Sequence, residues 1–176
     1  MKELTGKTAF ITGAGGSGIG LGIAKTLAKA GMNIVISDIK GDLITSSENE
    51  LREITDNVLA KKLDSTNIES INNLADEIQR TFGPLHVLCN NAGITGGGKI
   101  LETESDKWRQ VFEVNFFGPL NGVNALLPRM LEHGEEGHAF EWAGVFDLSQ
   151  GTYRWSFAKV DGKYADPGMK MIILKS

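Results

Sequence analysis

Three glycines, Gly13, Gly18 and Gly20, stand between an apolar run and a helical pattern in FITGAGGSGIGLGIAKTLAKAG, residues 10–31. Glycines placed there suit the binding of a phosphate. Free N–H groups and the helix dipole converge at a helix N-terminus, and glycine lets the chain turn tightly and the helix approach both ligand and strand. Ser17, Gly18, Ile19 and Gly20 would supply the backbone nearest the phosphates, with Gly15 and Gly16 lengthening the turn. No glycine of the loop is followed directly by Lys-Ser or Lys-Thr, which argues against a loop of the ATP- or GTP-binding kind.

Asp38 adds a second contact. It closes the run MNIVISD, where an acidic side chain can accept bonds from both hydroxyls of an adenosine ribose. It would also repel a 2′-phosphate, so the pattern favours NAD over NADP. Asp64, after a third apolar stretch, is placed to bond an adenine edge or to cap a turn. The small residues of NNAG, ending in Asn91, Ala92 and Gly93, would let the backbone pass beside the same ligand.

These residues need strands and helices in alternation to bring them together. Residues 7–12, 32–38 and 58–64 read as strands, and residues 85–93 as a fourth strand with its turn. In the first helix Ile19, Ile23, Leu27 and Ala30 share a face, and Gly31 suits its C-terminus. Residues 46–55 read as a short helix, and Ile68, Ile71, Leu74, Ala75 and Ile78 mark a longer one. Residues 105–130 form a long amphipathic helical region, with Gly118 and Pro119 predicting a bend or an altered hydrogen-bond ladder. This rhythm predicts an α/β fold: a doubly wound, Rossmann-like parallel sheet with helices on both faces.

Together, LTGKTAFITGA, the glycine loop, Asp38, LDSTN, NNAG and VNFFGPL resemble the short-chain dehydrogenase/reductase family over about residues 4–138. The resemblance implies NAD or NADP bound on a doubly wound sheet, with hydride moved between the cofactor and an alcohol or carbonyl substrate. It also implies a catalytic role for Asn115 of VNFFG. A helix asparagine bonding locally is the plainer reading.

The family's remaining catalytic groups are a serine and a Tyr-x-x-x-Lys pair, in which lysine lowers the tyrosine pKa and holds the ribose. The family's spacing carries these positions to Ala143, Ser156 and Val160, none of which matches. Tyr153 is the remaining acid/base candidate. It is followed by Phe157, and Lys159 lies six residues on; in a strand their backbones would be about 20 Å apart. Tyr164 has Gly168 four residues later, and Ser149 and Ser156 have no supporting pattern. A catalytically inactive NAD-binding or interaction module is therefore the alternative to an enzyme.

The expected division is a dinucleotide-binding region over 1–138 and a β-rich tail over 139–176. The family's later strands and helices are not recognisable there, so the sheet is expected to be truncated. TYRWSFAK alternates aromatic and polar residues, and HAFEWAGVF and MKMIIL are also strand-like. Loss of the family's later helices leaves a homo-oligomer, or a compensating partner, open.

Composition sets the remaining expectations. A net charge of −4 without a basic stripe argues against nucleic acid. One cysteine, Cys89, permits no internal disulfide and reads as core. No apolar run is long enough to span a membrane and the first residues lack a signal-peptide core, so a cytoplasmic protein acting on an unidentified small molecule is expected. His133, His138, Glu132, Glu135, Glu136 and Glu141 match no strong ligand spacing, and a solvated acidic turn is expected rather than a metal site.

Overall fold

The computed structural model describes residues 3–96, 102–141, 147–148, 151–152 and 172–174. Strands β1 (Thr8–Thr12), β2 (Asn33–Asp38), β3 (Val58–Lys62) and β4 (Leu85–Asn90) alternate with helices α1 (Ile19–Lys29), α2 (Gly41–Arg52) and α3 (Ile68–Phe82). Helices α4 (Ser105–Phe112) and α5 (Gly118–Glu132) then lead into β5 (Gly137–Glu141). Short strands β6 (Asp147–Leu148), β7 (Gly151–Thr152) and β8 (Ile172–Leu174) follow.

The main sheet runs β3-β2-β1-β4-β5-β8. Its first five strands are parallel, whereas β8 pairs antiparallel with β5 and β6 pairs with β7 separately. Strand order reverses at β1, with β2 on one side and β4 on the other. The crossovers on the two sides part there, leaving a crevice at the carboxyl ends of β1 and β4.

Successive residues of β1 point to opposite faces, and each face carries its own core. Ala9 and Ile11 pack with Ile34, Ile36, Leu21, Ala24, Ile44 and Leu51. Phe10 packs with Val35, Leu88, Ile71, Leu74, Ile78, Leu126 and Met130. Burial of a side chain such as Phe10 contributes roughly 1.5–3 kcal/mol. Helices on both faces explain why TAFIT and LHVLCN are buried throughout instead of alternating.

The structure corrects three expectations. The C-terminal part of the described fold is helical and not β-rich: α4, a π-helical turn at Glu113–Phe117 and α5 run almost unbroken from Ser105 to Glu132. Their buried residues, including Val111, Leu126 and Met130, recur at helical spacing. The aromatic alternation behind the β-rich expectation, at Tyr153, Trp155 and Phe157, lies outside the described residues.

The buried face of α1 is also rotated from the expected one. Gly20, Leu21, Ala24 and Ala28 are buried, while Ile19 is 57% exposed. Small residues at positions 20, 24 and 28 let the helix axis approach the sheet, and a pattern read from large side chains alone misses that face. The helix does end at Gly31 (φ +85), where Gly31 N–H bonds the Ala28 carbonyl and Met32 N–H the Leu27 carbonyl.

Finally, α2 starts at Gly41, five residues before the expected Ser46. The segment after β2 therefore turns into helix almost at once, which brings Ser47 over the glycine loop.

Candidate functional site

The ends of β1 and β4 are stitched together by side chains. Thr12 Oγ1 accepts from the backbone N–H groups of Asn91 and Ala92, both at 3.0 Å. Asn91 Nδ2 donates to the carbonyls of Thr12 (3.0 Å) and Gly13 (2.9 Å). Two glycines are required by this closeness. A Cβ on Gly13, itself at φ +64, would lie 2.6 Å from Ala92 Cα. One on Gly20 would lie 2.6 Å from both Asn91 Nδ2 and the Gly13 carbonyl oxygen. Asn91 is thus turned toward the loop as a brace. Thr12 is the threonine of the Thr-Gly pair that opens the loop, but its bonds to Asn91 and Ala92 depend on how β1 and β4 dock and leave no sign in the sequence.

Four residues, Ala14–Ser17, lie between Gly13 and Gly18, and the first three of them lean toward β2 and α2. Ala14 N–H bonds the Ser37 carbonyl at 3.0 Å, Gly15 N–H bonds Asp38 Oδ2 at 3.0 Å, and Gly16 N–H bonds Ser47 Oγ at 2.9 Å. Asp38 Oδ1 accepts from Lys40 N–H at 3.0 Å. Both carboxylate oxygens are therefore held by backbone donors, and each keeps a further lone pair for another donor. Beyond this lean, Ser17, Gly18 and Ile19 are exposed, and Gly18 starts α1 without a capping side chain. The first-turn N–H groups of α1 are thus presented to an anion. Ile39, beside Asp38, is 57% exposed and was not singled out by sequence.

Asp64 sits two residues past β3. Its Oδ1 accepts from Thr66 N–H (2.9 Å) and Thr66 Oγ1 (2.8 Å), the turn-capping arrangement. Asn67 then caps α3 by accepting from Ser70 N–H.

Asn115 lies within the π-helical turn and is 6% exposed. Its Oδ1 accepts from Ile94 N–H and its Nδ2 donates to the Ile94 carbonyl, each at 2.8 Å. This pair pins the segment after NNAG, and Gly93 packs against the same amide: its Cβ position lies 3.4 Å from Asn115 Oδ1. The altered ladder predicted at Gly118-Pro119 takes the form of the π turn. Gly118 N–H bonds the Glu113 carbonyl five residues back, and Pro119 has no N–H to offer the Asn115 carbonyl four residues back. Hydrogen bonds and close packing thus gather Asn115, Asn91, Ala92, Gly93, Gly13 and Gly20 at one end of the sheet, with Asp38 joined through Gly15. Tyr153, Ser149, Ser156, Lys159 and Tyr164 lie outside the described residues.

A separate cluster occupies the opposite end of β1 and β4. His86, His133 and Glu135 bring ligand-type atoms within 4.8 Å of one another. Glu135 Oε2 already accepts from Lys7 Nζ at 2.8 Å and lies 3.0 Å from His86 Nε2. His86 Nδ1 accepts from Thr8 N–H at 3.2 Å, so Nε2 carries the proton in the neutral ring. That tautomer donates to Glu135 and offers no lone pair to a metal there. Hydrogen bonds from Lys7 and His86 hold the Glu135 carboxyl down at about 2. Burial keeps the His86 imidazole below its ordinary value despite the carboxylate.

A parallel sheet that reverses at β1, with a glycine loop opening α1 at that reversal, defines a Rossmann-like α/β protein. Residues 7–139 match the family model for short chain dehydrogenase, and the chain belongs to that family. A curated relative, 1-deoxy-11-beta-hydroxypentalenate dehydrogenase of Streptomyces exfoliatus, is 34% identical over 93% of this chain and 59% of its own length. The chain thus spans about three fifths of such relatives. Among solved structures, LigO from Sphingobium sp. strain SYK-6 in its apo form is 39% identical, with a TM-score of 0.75 over 79% of this chain and 52% of its own. A short chain dehydrogenase/reductase from Burkholderia phymatum in complex with NAD is 37% identical, with a TM-score of 0.75 over 79% and 49%. No helix among the described residues is long and apolar enough to cross a membrane.

Proposed function

We propose that this chain binds NAD(H) in the crevice at the carboxyl ends of β1, β2 and β4, as part of an oxidoreductase that moves hydride to or from an alcohol or carbonyl carbon. The observation that carries the reading is the disposition of Asp38 and the start of α1. A fixed, half-buried carboxylate stands at one end of the glycine loop, and an uncapped helix N-terminus stands at the other. This pairing suits a ribose diol followed by a pyrophosphate.

The residues fit the cofactor physically. Gly13 and Gly20 keep the loop free of side-chain bulk where backbone and ligand would meet. Gly18, Ile19 and Gly20 supply N–H donors, with Ser17 beside them. Asp38 accepts from the two ribose hydroxyls and repels a 2′-phosphate. Exposed Ile39 offers an apolar surface beside the adenine, whereas Asp64 keeps one oxygen for its edge. Ala92 and Gly93 let the β4 end pass close to the ligand, and Asn91 and Asn115 hold that passage in place. Bound NAD(H) supplies the hydride acceptor or donor.

A second reading is binding without turnover, and a sequence observation favours it: no Tyr-x-x-x-Lys pair stands at the family's spacing. Isothermal titration with NAD+ tests the binding. Saturable heat is expected, weakening tenfold or more in Asp38→Ala, since hydrogen bonds to a charged group contribute roughly 1.5–3 kcal/mol. Equal affinity in the variant would overturn the assignment. A screen of alcohols and carbonyls, repeated with Tyr153→Phe, separates an enzyme from a silent binder.

A further inference from the structure

The glycine loop is one residue longer here than the Thr-Gly, three-residue, Gly-x-Gly pattern it resembles. In this longer loop Gly15 contacts Asp38 and Gly16 contacts Ser47, while Ser17, Gly18 and Ile19 at the start of α1 stay exposed. Ser47 is fully buried on α2, and its hydroxyl oxygen accepts from Gly16 N–H at 2.9 Å. Gly16 is at φ +81, a conformation that glycine adopts without strain. Gly15 is pressed against the acid: a Cβ there would lie 2.8 Å from Asp38 Cβ and Cγ.

We propose that Ser47 is a positioning residue for the adenosine end of the cofactor: it holds Gly16, which fixes Gly15 against Asp38 and sets the carboxylate for the ribose. The proposal rests on the NAD(H) reading above. Asp38 is held from two sides, by Lys40 N–H on one oxygen and Gly15 N–H on the other. The first of these is local to the β2–α2 turn. The second depends on a five-glycine stretch, residues 13–20, that has large freedom of its own and is tied to α2 through Gly16. Without Ser47 Oγ, Gly15 N–H would contact Asp38 for a smaller share of the time. The carboxylate would then have to be ordered when the ribose arrives, and that ordering weakens binding. Ser47 lies nine residues from Asp38 and touches no ligand-facing atom, so neither motif nor spacing points to it.

The test is Ser47→Ala, with NADH and NADPH affinities measured alongside thermal stability. One hydrogen bond of ordinary net strength corresponds to roughly a three- to tenfold loss of NADH affinity. NADPH should weaken less, because a carboxylate free to swing aside no longer opposes the 2′-phosphate so well. The NADH preference should therefore narrow. A variant of lowered stability that keeps wild-type NADH affinity and preference would refute the proposal and leave NAD(H) binding intact; absence of saturable NADH binding by the wild-type chain would refute the binding reading itself. A measurement on the unmutated protein covers the case in which the variant does not fold. Hydrogen exchange at Gly16 N–H should be slow without cofactor and should stay slow or become slower with NADH. Faster exchange on binding would mean that the cofactor breaks the Ser47 contact, which contradicts the proposal.

Discussion

Gly20 and Gly22 lie two residues apart in α1 and should respond oppositely to alanine. At Gly22 a Cβ meets nothing within 4 Å, so Gly22→Ala gains only the helix preference of alanine, about 0.8–1 kcal/mol. At Gly20 the new Cβ would lie 2.6 Å from Asn91 Nδ2, 2.6 Å from the Gly13 carbonyl oxygen and 3.0 Å from Ala14 Cα. Two of these neighbours are backbone, and the third is an amide that donates to the carbonyls of both Thr12 and Gly13. Relief therefore requires either a shift of the loop or loss of the Asn91 brace. Two hydrogen bonds at roughly 0.5–1.5 kcal/mol each, with about 1–3 kcal/mol of overpacking, exceed the gain in propensity. The net cost is on the order of 1–5 kcal/mol. For a chain of this size each kcal/mol moves Tm by about 2–4 °C. Thermal denaturation should thus show Gly22→Ala above the parent and Gly20→Ala below it, and NADH binding should weaken only in Gly20→Ala. Equal or parallel Tm changes in the two variants would refute the close-approach argument.

Asn115→Leu should lower the urea midpoint by an amount corresponding to roughly 1–3 kcal/mol, because it leaves the Ile94 N–H and carbonyl without their 2.8 Å partners. Stability should fall on acidification in two windows. His86 is held neutral by burial below its ordinary value, so its contribution is complete above about 6.5 and is lost as pH falls through the depressed folded value. Glu135 is lowered to about 2 from 4.5, so its contribution is present above 4.5 and disappears as pH falls toward 2. Urea midpoints between pH 7.5 and 5 check the first window, which should flatten in His86→Gln. The Cys89 thiol, buried near the carboxyl end of β4, is pushed up to about 12 by that burial, so disulfide reagents at pH 8 should label it only after unfolding.

The parallel strands and helix α3 were legible because β-branched runs and the helical spacing of Ile68, Ile71, Leu74, Ala75 and Ile78 act within a few residues of one another. Gly13, Gly20 and Asp38 were legible for a related reason: their roles depend on standing at the junction of a strand and a helix. The buried face of α1 was not, since Gly20, Ala24 and Ala28 carry little hydrophobic signal although they permit the closest packing. Asn91 and Asn115 were marked as site residues, but their bonds to Gly13 and Ile94 depend on how separate elements dock. Ser47 was invisible for the same reason, since its partner is a backbone N–H in a loop 31 residues away. The helical course from Ser105 to Glu132 was expected, whereas the β-rich character assigned to the C-terminal part came from aromatic alternation, a signal that says nothing about the helices preceding it.

The central claim is that the crevice beside Asp38 and the start of α1 holds NAD(H). Titration of NADH into the protein, followed by nicotinamide fluorescence, tests it most directly. The account predicts a saturable change that Asp38→Ala weakens at least tenfold; a signal that fails to saturate at millimolar cofactor would contradict it.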